Sequence, residues 1–250
     1  MQILFLTDLH GTREYLAPLL QREAGADLVL LGGDLTNFAG AAEAREIIEP
    51  LRQAFPCVAA VPGNVDLPGV GDWLADEGLS LHGTGRAANG VWVSGCGGSN
   101  LTPLHSPLEF DEETLARLLE AGVPPPEVEL PWILMSHVPP VDTVCDRMFA
   151  GKHVGSPALR TFLGRRRPAL CLCGHIHEGV GTDRVATTPV VNPGAFASRR
   201  YAVVHVDGDQ VRAELRHLDV PLSLRLRAEV GSVASKVVGY AKHRLRHAGR

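Results

Sequence analysis

Seven side chains able to give a lone pair to a cation, Asp8, His10, Asp34, Asn64, His137, His175 and His177, each stand just beyond a short apolar run. The runs "LFLTDLHG", "LVLLGGDLTN", "VAAVPGNVD", "WILMSHVPP" and "LCLCGHIHE" deliver them in turn. Each residue also has an ordinary structural role: aspartates cap helices, Asn64 suits the turn in "VPGNVD", and single histidines are often satisfied inside cores. In "GHIH", however, the imidazoles are two residues apart, so on extended backbone both point to one face. Imidazole and oxygen donors together suit Mn, Fe, Co, Ni or Zn; with no thiolate among them, Cu(I), iron–sulfur clusters and structural zinc fit poorly. A catalytic zinc takes about three protein ligands, so seven suggest two ions sharing a bridging carboxylate.

Residues from separate strands meet in this way when a sheet is flanked by helices, because ligands bind beyond the carboxyl ends of the strands. The required elements are legible. Apolar, β-rich runs recur as "QILFLT", "DLVLLGG", "CVAAVPG", "VWVSGCG", "WILMSH", "ALCLCGH", "PVVNPG" and "RYAVVHV". Helical patterns at Arg13 to Ala24 and Ala41 to Phe55 separate them, and two more are expected. These are Asp111 to Ala121, opened by acids, and Pro157 to Arg166, capped by Ser156 and closed by basic residues. The alternation predicts a layered α/β fold with strands buried on both faces. "RRRP" at Arg165 to Pro168 reads as a helix end rather than a nucleic-acid patch, and "GVPPPEVELP" as a stiff, extended connection.

With 250 residues, 45% of them apolar, the chain can fill a substantial core. One compact domain is expected over 1–220, with a basic amphipathic extension at 221–250. In that extension Leu222, Leu224 and Leu226 alternate with polar residues, and Val230, Val233, Val237, Ala241 and Leu245 follow helical spacing. From residue 224 onward seven Lys/Arg stand against one acid, leaving the body acidic. An acidic body argues against an extended nucleic-acid surface, and the apolar stripe of the tail suggests packing on the body or homo-oligomer formation. The five cysteines lack a C-x-x-C pair, so disulfides and thiolate zinc are not expected. "MQILFLT" is too short for a signal-peptide core, and no apolar run approaches the roughly 18 residues of a membrane span. A soluble, cytoplasmic protein without membrane contact is the expectation.

The blocks in this order resemble the calcineurin-like metallophosphoesterase superfamily, whose signature runs D-x-H, G-D-x-x-N, G-N-H-D/E, a lone His and G-H-x-H. Here they read "DLH", "GDLTN", "GNVD", "SHVP" and "GHIH" between residues 8 and 177. "HVPP" through "GKHVGSPALRTFLGRRRPALCLCGHIHE" to "VVNPG" is also similar to a small prokaryotic branch of the family. The resemblance implies a four-layer α-β-β-α sandwich. It also implies one ion held by Asp8, His10, Asp34 and His177, and a second held by Asp34, Asn64, His137 and His175, with Asp34 bridging. Asn37 would support the ligands from outside.

Val65 departs from the family pattern, because many members carry there a histidine aimed at the substrate. Valine can neither protonate a leaving oxygen nor stabilise developing charge. Asp66, which often orients that histidine, is left as a turn residue on this reading. His153, in the Gly-flanked "GKHVGS", is the candidate substitute acid, beside the plainer reading of a solvated loop histidine. The expected activity is hydrolysis of small phosphodiesters, nucleotide-like ones included, by a hydroxide bridging two divalent transition-metal ions, manganese first. A phosphomonoesterase, a nuclease and a non-catalytic scaffold or binding module are the alternatives. Specificity is expected in the loops Asn100 to Phe110 and Thr143 to Gly155.

Overall fold

The computed structural model describes residues 1–228. Thirteen strands run β1 Gln2–Leu6, β2 Leu28–Leu31, β3 Val58–Ala60, β4 Thr84–Ala88, β5 Val91–Cys96, β6 Ser99–Asn100, β7 Glu109–Phe110, β8 Trp132–Ser136, β9 Leu170–Cys173, β10 Gly181–Val185, β11 Thr188–Asn192, β12 Arg200–Asp207 and β13 Gln210–His217. The helices are α1 Leu16–Arg22, α2 Ala41–Ala54, α3 Pro68–Asp76, α4 Glu112–Ala121 and α5 Pro157–Arg166.

Two sheets carry the site. One has the order β13-β12-β1-β2-β3, the other β10-β11-β9-β8-β5-β4. At the centre of each, β1-β2-β3 and β5-β8-β9-β11 run parallel, so their carboxyl ends lie along one edge. The apolar runs explain the layering, since a strand buried on both faces sends alternate side chains to opposite sides. Ile3, Phe5, Leu28 and Leu30 meet Ile133, Met135, Leu170 and Leu172 in a core between the sheets. Their neighbours Leu4, Leu6, Val29 and Leu31 pack outward with Leu19 of α1, Ile47 and Leu51 of α2, and Leu74 of α3. On the other side Leu134, Cys171 and Cys173 face Leu115 and Leu119 of α4 and Leu159, Phe162 and Leu163 of α5. The result is a four-layer α-β-β-α sandwich.

Capping follows the sequence. Asp111 accepts from the Thr114 N–H, and the Ser156 hydroxyl accepts from the Leu159 N–H. Arg165 and Arg166 at the end of α5 pair with Glu120, so this basic run is a helix terminus. Helix α1 is shorter than expected, starting at Leu16 rather than Arg13. A start at Arg13 would have put Pro18 inside the helix, whereas it now falls in the first turn, where a missing N–H costs nothing.

Residues 222–228 are helical, so the alternation of Leu222, Leu224 and Leu226 does not mark extended chain. Spacing of four decides it: Leu224 and Ala228 pack on the outer core while Leu222 and Leu226 stay exposed. The stripe from Val230 to Leu245 lies outside the described residues. Among the described residues no helix is long and apolar enough to cross a membrane.

The layer between the sheets is the anchor for everything at their edge. Leu30→Ala, at a fully buried position in it, is expected to destabilise the protein by about 2–5 kcal/mol, read as a lower urea midpoint at unchanged slope.

Candidate metal centre

All five strands named from the sequence end at one edge, and the chain beyond them turns sharply. Asp8, His10, Asp34 and His175 adopt left-handed backbone, with φ of 54°, 49°, 48° and 66°. Such conformations are uncommon outside glycine and concentrate at functional sites. The loops after β1 and β2 continue to pair, through Asp8 N to Gly33 O at 3.0 Å and His10 N to Asp34 O at 2.9 Å. This keeps the two aspartates in register. Two glycines permit the closest approaches. A Cβ on Gly63 would collide with the backbone nitrogen and carboxylate of Asp34, and one on Gly174 with the Thr7 hydroxyl and Asp8.

The side chains gather in two clusters. Asp8, His10 and His177 form one, and Asp34, His137 and His175 the other, with donor atoms within 4.8 Å of one another in each. In the first, His10 Nε2 lies 3.2 Å from His177 Nε2, and His177 Nε2 lies 3.3 Å from Asp8 Oδ1. In the second, His137 Nε2 lies 3.0 Å from Asn64 Oδ1 and 3.4 Å from Asp34 Oδ1. Asp34 stands between them, since its other oxygen, Oδ2, is 3.8 Å from His10 Nε2.

These separations test whether a cation fits. Donor atoms bound to one ion at about 2.1 Å stand about 3.0–3.4 Å apart in octahedral or tetrahedral geometry. Most of the distances above fall in that range. His10 Nε2 also faces His177 Nε2, as imidazole donors do around a shared positive charge. The donor set therefore fits divalent metal.

Charge points the same way. Burial alone would raise the Asp8 pKa, but the hydrogen bond and charge of His177, with His137 and His10, hold it below the ordinary value. Asp34 is likewise held low, by His137 and His10 against its burial. Burial lowers the His137 pKa, yet Asp34 and Asp8 more than reverse this and raise it to about 9. His175 goes down to about 4 through burial and the nearby His137 charge. Two ionised carboxylates thus draw a proton onto His137 in the absence of any other cation.

The remaining contacts fix orientation. His137 Nδ1 is 2.8 Å from the Gly32 carbonyl, which can only accept, so Nδ1–H donates and Nε2 faces the cluster. The Asn64 amide nitrogen donates to the Ser106 hydroxyl at 2.8 Å, turning Oδ1 toward His137. Ser106 in turn donates to Glu109, whose carboxylate also accepts from the Thr102 N–H and hydroxyl and the Ser106 N–H. This support from the Asn100–Phe110 loop carries no motif.

One expectation changes. Asp66 is no idle turn residue: fully buried, it accepts from the N–H groups of Leu35, Thr36 and Gly63 and from the Thr36 hydroxyl, at 2.7–3.1 Å. It ties the Asn64 loop to the Asp34 loop without needing a histidine at Val65. Burial, then the charge of Asp34, raises its pKa to about 6 against those hydrogen bonds. Asn37 is buried and its amide nitrogen has no hydrogen-bond partner in the structure.

His153 stands outside both clusters. Its Nδ1 is 2.7 Å from Asp146, a buried carboxylate that also accepts from the N–H groups of Thr143, Val154 and Gly155. Burial would raise the Asp146 pKa, but the His153 and backbone hydrogen bonds hold it below the ordinary value. His153 lines the same cavity, of about 940 Å³, as Asn64, His175 and His177. Val65 contributes its N–H to Asp34 at 3.0 Å and no polar side chain.

A family described as calcineurin-like phosphoesterase matches residues 1–179. The uncharacterized protein MJ1162 of Methanocaldococcus jannaschii is 35% identical over 201 residues, covering 77% of this chain and 88% of that protein. The crystal structure of TT1561 of Thermus thermophilus is similar with a TM-score of 0.67 and 21% identity, over 87% of this chain and 99% of that one. The purple acid phosphatase PPD1 from yellow lupin has a TM-score of 0.57 at 12% identity, over 88% of this chain and 52% of its own. At these identities the two structures speak for the fold alone.

Because His137 keeps its proton up to about pH 9 without metal, that proton must leave before Nε2 can bind a cation. Metal uptake near pH 7.5 is expected to release about one proton per chain, and apparent affinity should climb as pH rises toward 9. His175, already neutral in this range, adds no dependence. Titration calorimetry in two buffers of different ionisation enthalpy counts the proton; an affinity flat from about pH 6 to 9 would contradict the assignment.

Proposed function

The chain belongs to the calcineurin-like phosphoesterase family, and from that premise we propose that it hydrolyses small phosphodiesters at a dinuclear metal centre. Asp8, His10, Asp34 and His177 would hold one divalent ion, and Asp34, Asn64, His137 and His175 the other. Manganese is the first choice, with Fe, Zn, Co and Ni admitted by the same donors. The observation that carries this reading is the position of Asp34, with one carboxylate oxygen 3.4 Å from His137 and the other 3.8 Å from His10. When bound, such a pair of ions activates water and stabilises charge on the attacking and leaving oxygens of an in-line displacement.

The chain's own groups do the rest. Gly63, the Asp66 hydrogen bonds and the Ser106–Glu109 relay hold the donors in place before substrate arrives, so little reorganisation remains for the reaction. Val65 leaves its side of the centre without an acid. His153 is the proton donor on this reading: Asp146 accepts from Nδ1–H, and in the imidazolium form a second proton on Nε2 is the one given to the leaving oxygen, which leaves neutral imidazole behind. Among the described residues lining the cavity, Lys152 is the one lysine or arginine. A single cation there suits the one negative charge of a diester better than the two of a monoester.

Reconstituted protein should therefore bind close to two transition-metal equivalents per chain by elemental analysis. Asp34→Ala should lose more activity than His10→Ala, because it serves both ions. A ceiling of one equivalent, or equal mild losses, contradicts the shared carboxylate.

Leaving-group dependence tests the acid. With His153 in place, turnover of diesters should vary little with leaving-group pKa. His153→Ala should then slow alkyl esters about 10²- to 10⁴-fold, the usual contribution of a general acid, while nitrophenyl esters change little. A natural enzyme already steeply dependent on leaving-group pKa would remove His153 from the mechanism.

A further inference from the structure

Large apolar side chains left in water are concentrated on one wall of the cavity beside the metal centre. Leu101, Leu104 and Phe149 are 70%, 74% and 79% exposed, and Met148 is 41% exposed. Single exposed apolar residues need no explanation, but a cluster at the mouth of a site does. These four come from two segments far apart in the chain, and all line the cavity that reaches Asn64, His175 and His177.

The loops that carry them are held firmly. Glu109 accepts four hydrogen bonds from Thr102 and Ser106, which pins the chain on either side of Leu104. Asp146 gathers Thr143, Val154, Gly155 and His153 around itself, which closes the loop bearing Met148 and Phe149. Asn100 bridges the two loops, its amide 3.3 Å from Val154 O and 3.4 Å from Gly155 O. Apolar tips on pinned loops form a preorganised surface.

Three polar side chains lining the cavity are already committed. The Asn100 amide is used between the loops, Thr102 is bound to Glu109, and Glu112 accepts from Ser156 and Ala158. At those three positions a base or sugar would find few free directional partners, whereas hydrocarbon needs none. We infer that the cavity is the binding site for a hydrocarbon arm, so that the substrates are phosphoesters carrying an alkyl or acyl chain. The inference rests on the phosphoesterase reading. Phosphate lies at the metal donors, and the chain runs over Leu101, Leu104, Met148 and Phe149.

The test uses full-length, manganese-loaded protein and two series. In the first, methyl, butyl and octyl p-nitrophenyl phosphodiesters are hydrolysed. In the second, methyl-, butyl- and octylphosphonate are bound and followed by calorimetry without turnover. Both kcat/KM and phosphonate affinity should rise about threefold to fourfold per methylene until the wall is covered, the value of burying one methylene. The double variant Leu104→Ser with Phe149→Ser should bring the octyl-to-methyl ratio in both series toward one. Rising phosphonate affinity without turnover would sink the phosphoesterase reading and uphold the hydrocarbon site. A flat phosphonate series would overturn the site even in an active enzyme. A flat series together with sedimentation on phosphatidylcholine–phosphatidylglycerol vesicles would assign the patch to a bilayer surface and likewise overturn it.

Discussion

Asp34 can face two clusters at once because the chain at Gly63 passes directly against it. With no Cβ, Gly63 leaves room for the Asp34 nitrogen and carboxylate where any other residue would collide. That contact brings the ends of β2 and β3 together, and Asp66 then locks them, accepting from Leu35 and Thr36 on one side and Gly63 on the other. Asn64 and Val65 are fixed as a consequence: Val65 gives its N–H to Asp34, and Asn64 turns its carbonyl toward His137. The distances among the donors therefore follow from backbone packing rather than from the side chains themselves.

This packing has an electrostatic cost. Asp8, Asp34 and Asp66 are all buried, and buried anions require compensation. Asp66 is answered by four hydrogen bonds and Asp8 by Thr7 and the His175 N–H, whereas Asp34 has the Val65 N–H and beyond it relies on imidazoles. The proton drawn onto His137 is the sign of that dependence. A divalent cation would replace it with a larger charge, so folding and metal binding support one another through the same groups.

Much of this was legible in the sequence because the signal lies in runs that must be buried. Strands β1, β2, β3, β5, β8, β9, β11 and β12 announce themselves as apolar segments, and seven donors at their ends define the centre. The edge strands β4, β10 and β13 do not, since one face of each meets solvent and sequences such as "TGRAA" and "GTDRV" carry no apolar run. Helix α3, "PGVGDWLAD", hides behind two glycines and a proline, and is held by the burial of Val70, Trp73 and Leu74 rather than by propensity. Asp66, Glu109 and Asp146 were out of reach for another reason. Their importance lies in how many backbone groups converge on each carboxylate, and no local spacing encodes that.

Those three carboxylates also divide the labour. Asp66 acts inside, binding the donor loops to one another, and its effect is confined to the rigid edge of the first sheet. Glu109 and Asp146 act outside, each gathering one long loop into a fixed shape. The inner device constrains the ligand atoms, so its residues leave little room for change. The outer devices hold loop backbone together with the Thr102, Ser106 and His153 side chains, leaving Leu101, Leu104, Met148 and Phe149 free to differ in type while keeping their places. An outer loop held by its own buried carboxylate thus places an imidazole, His153, on the same cavity as the metal donors, whereas Val65 brings no polar side chain to it.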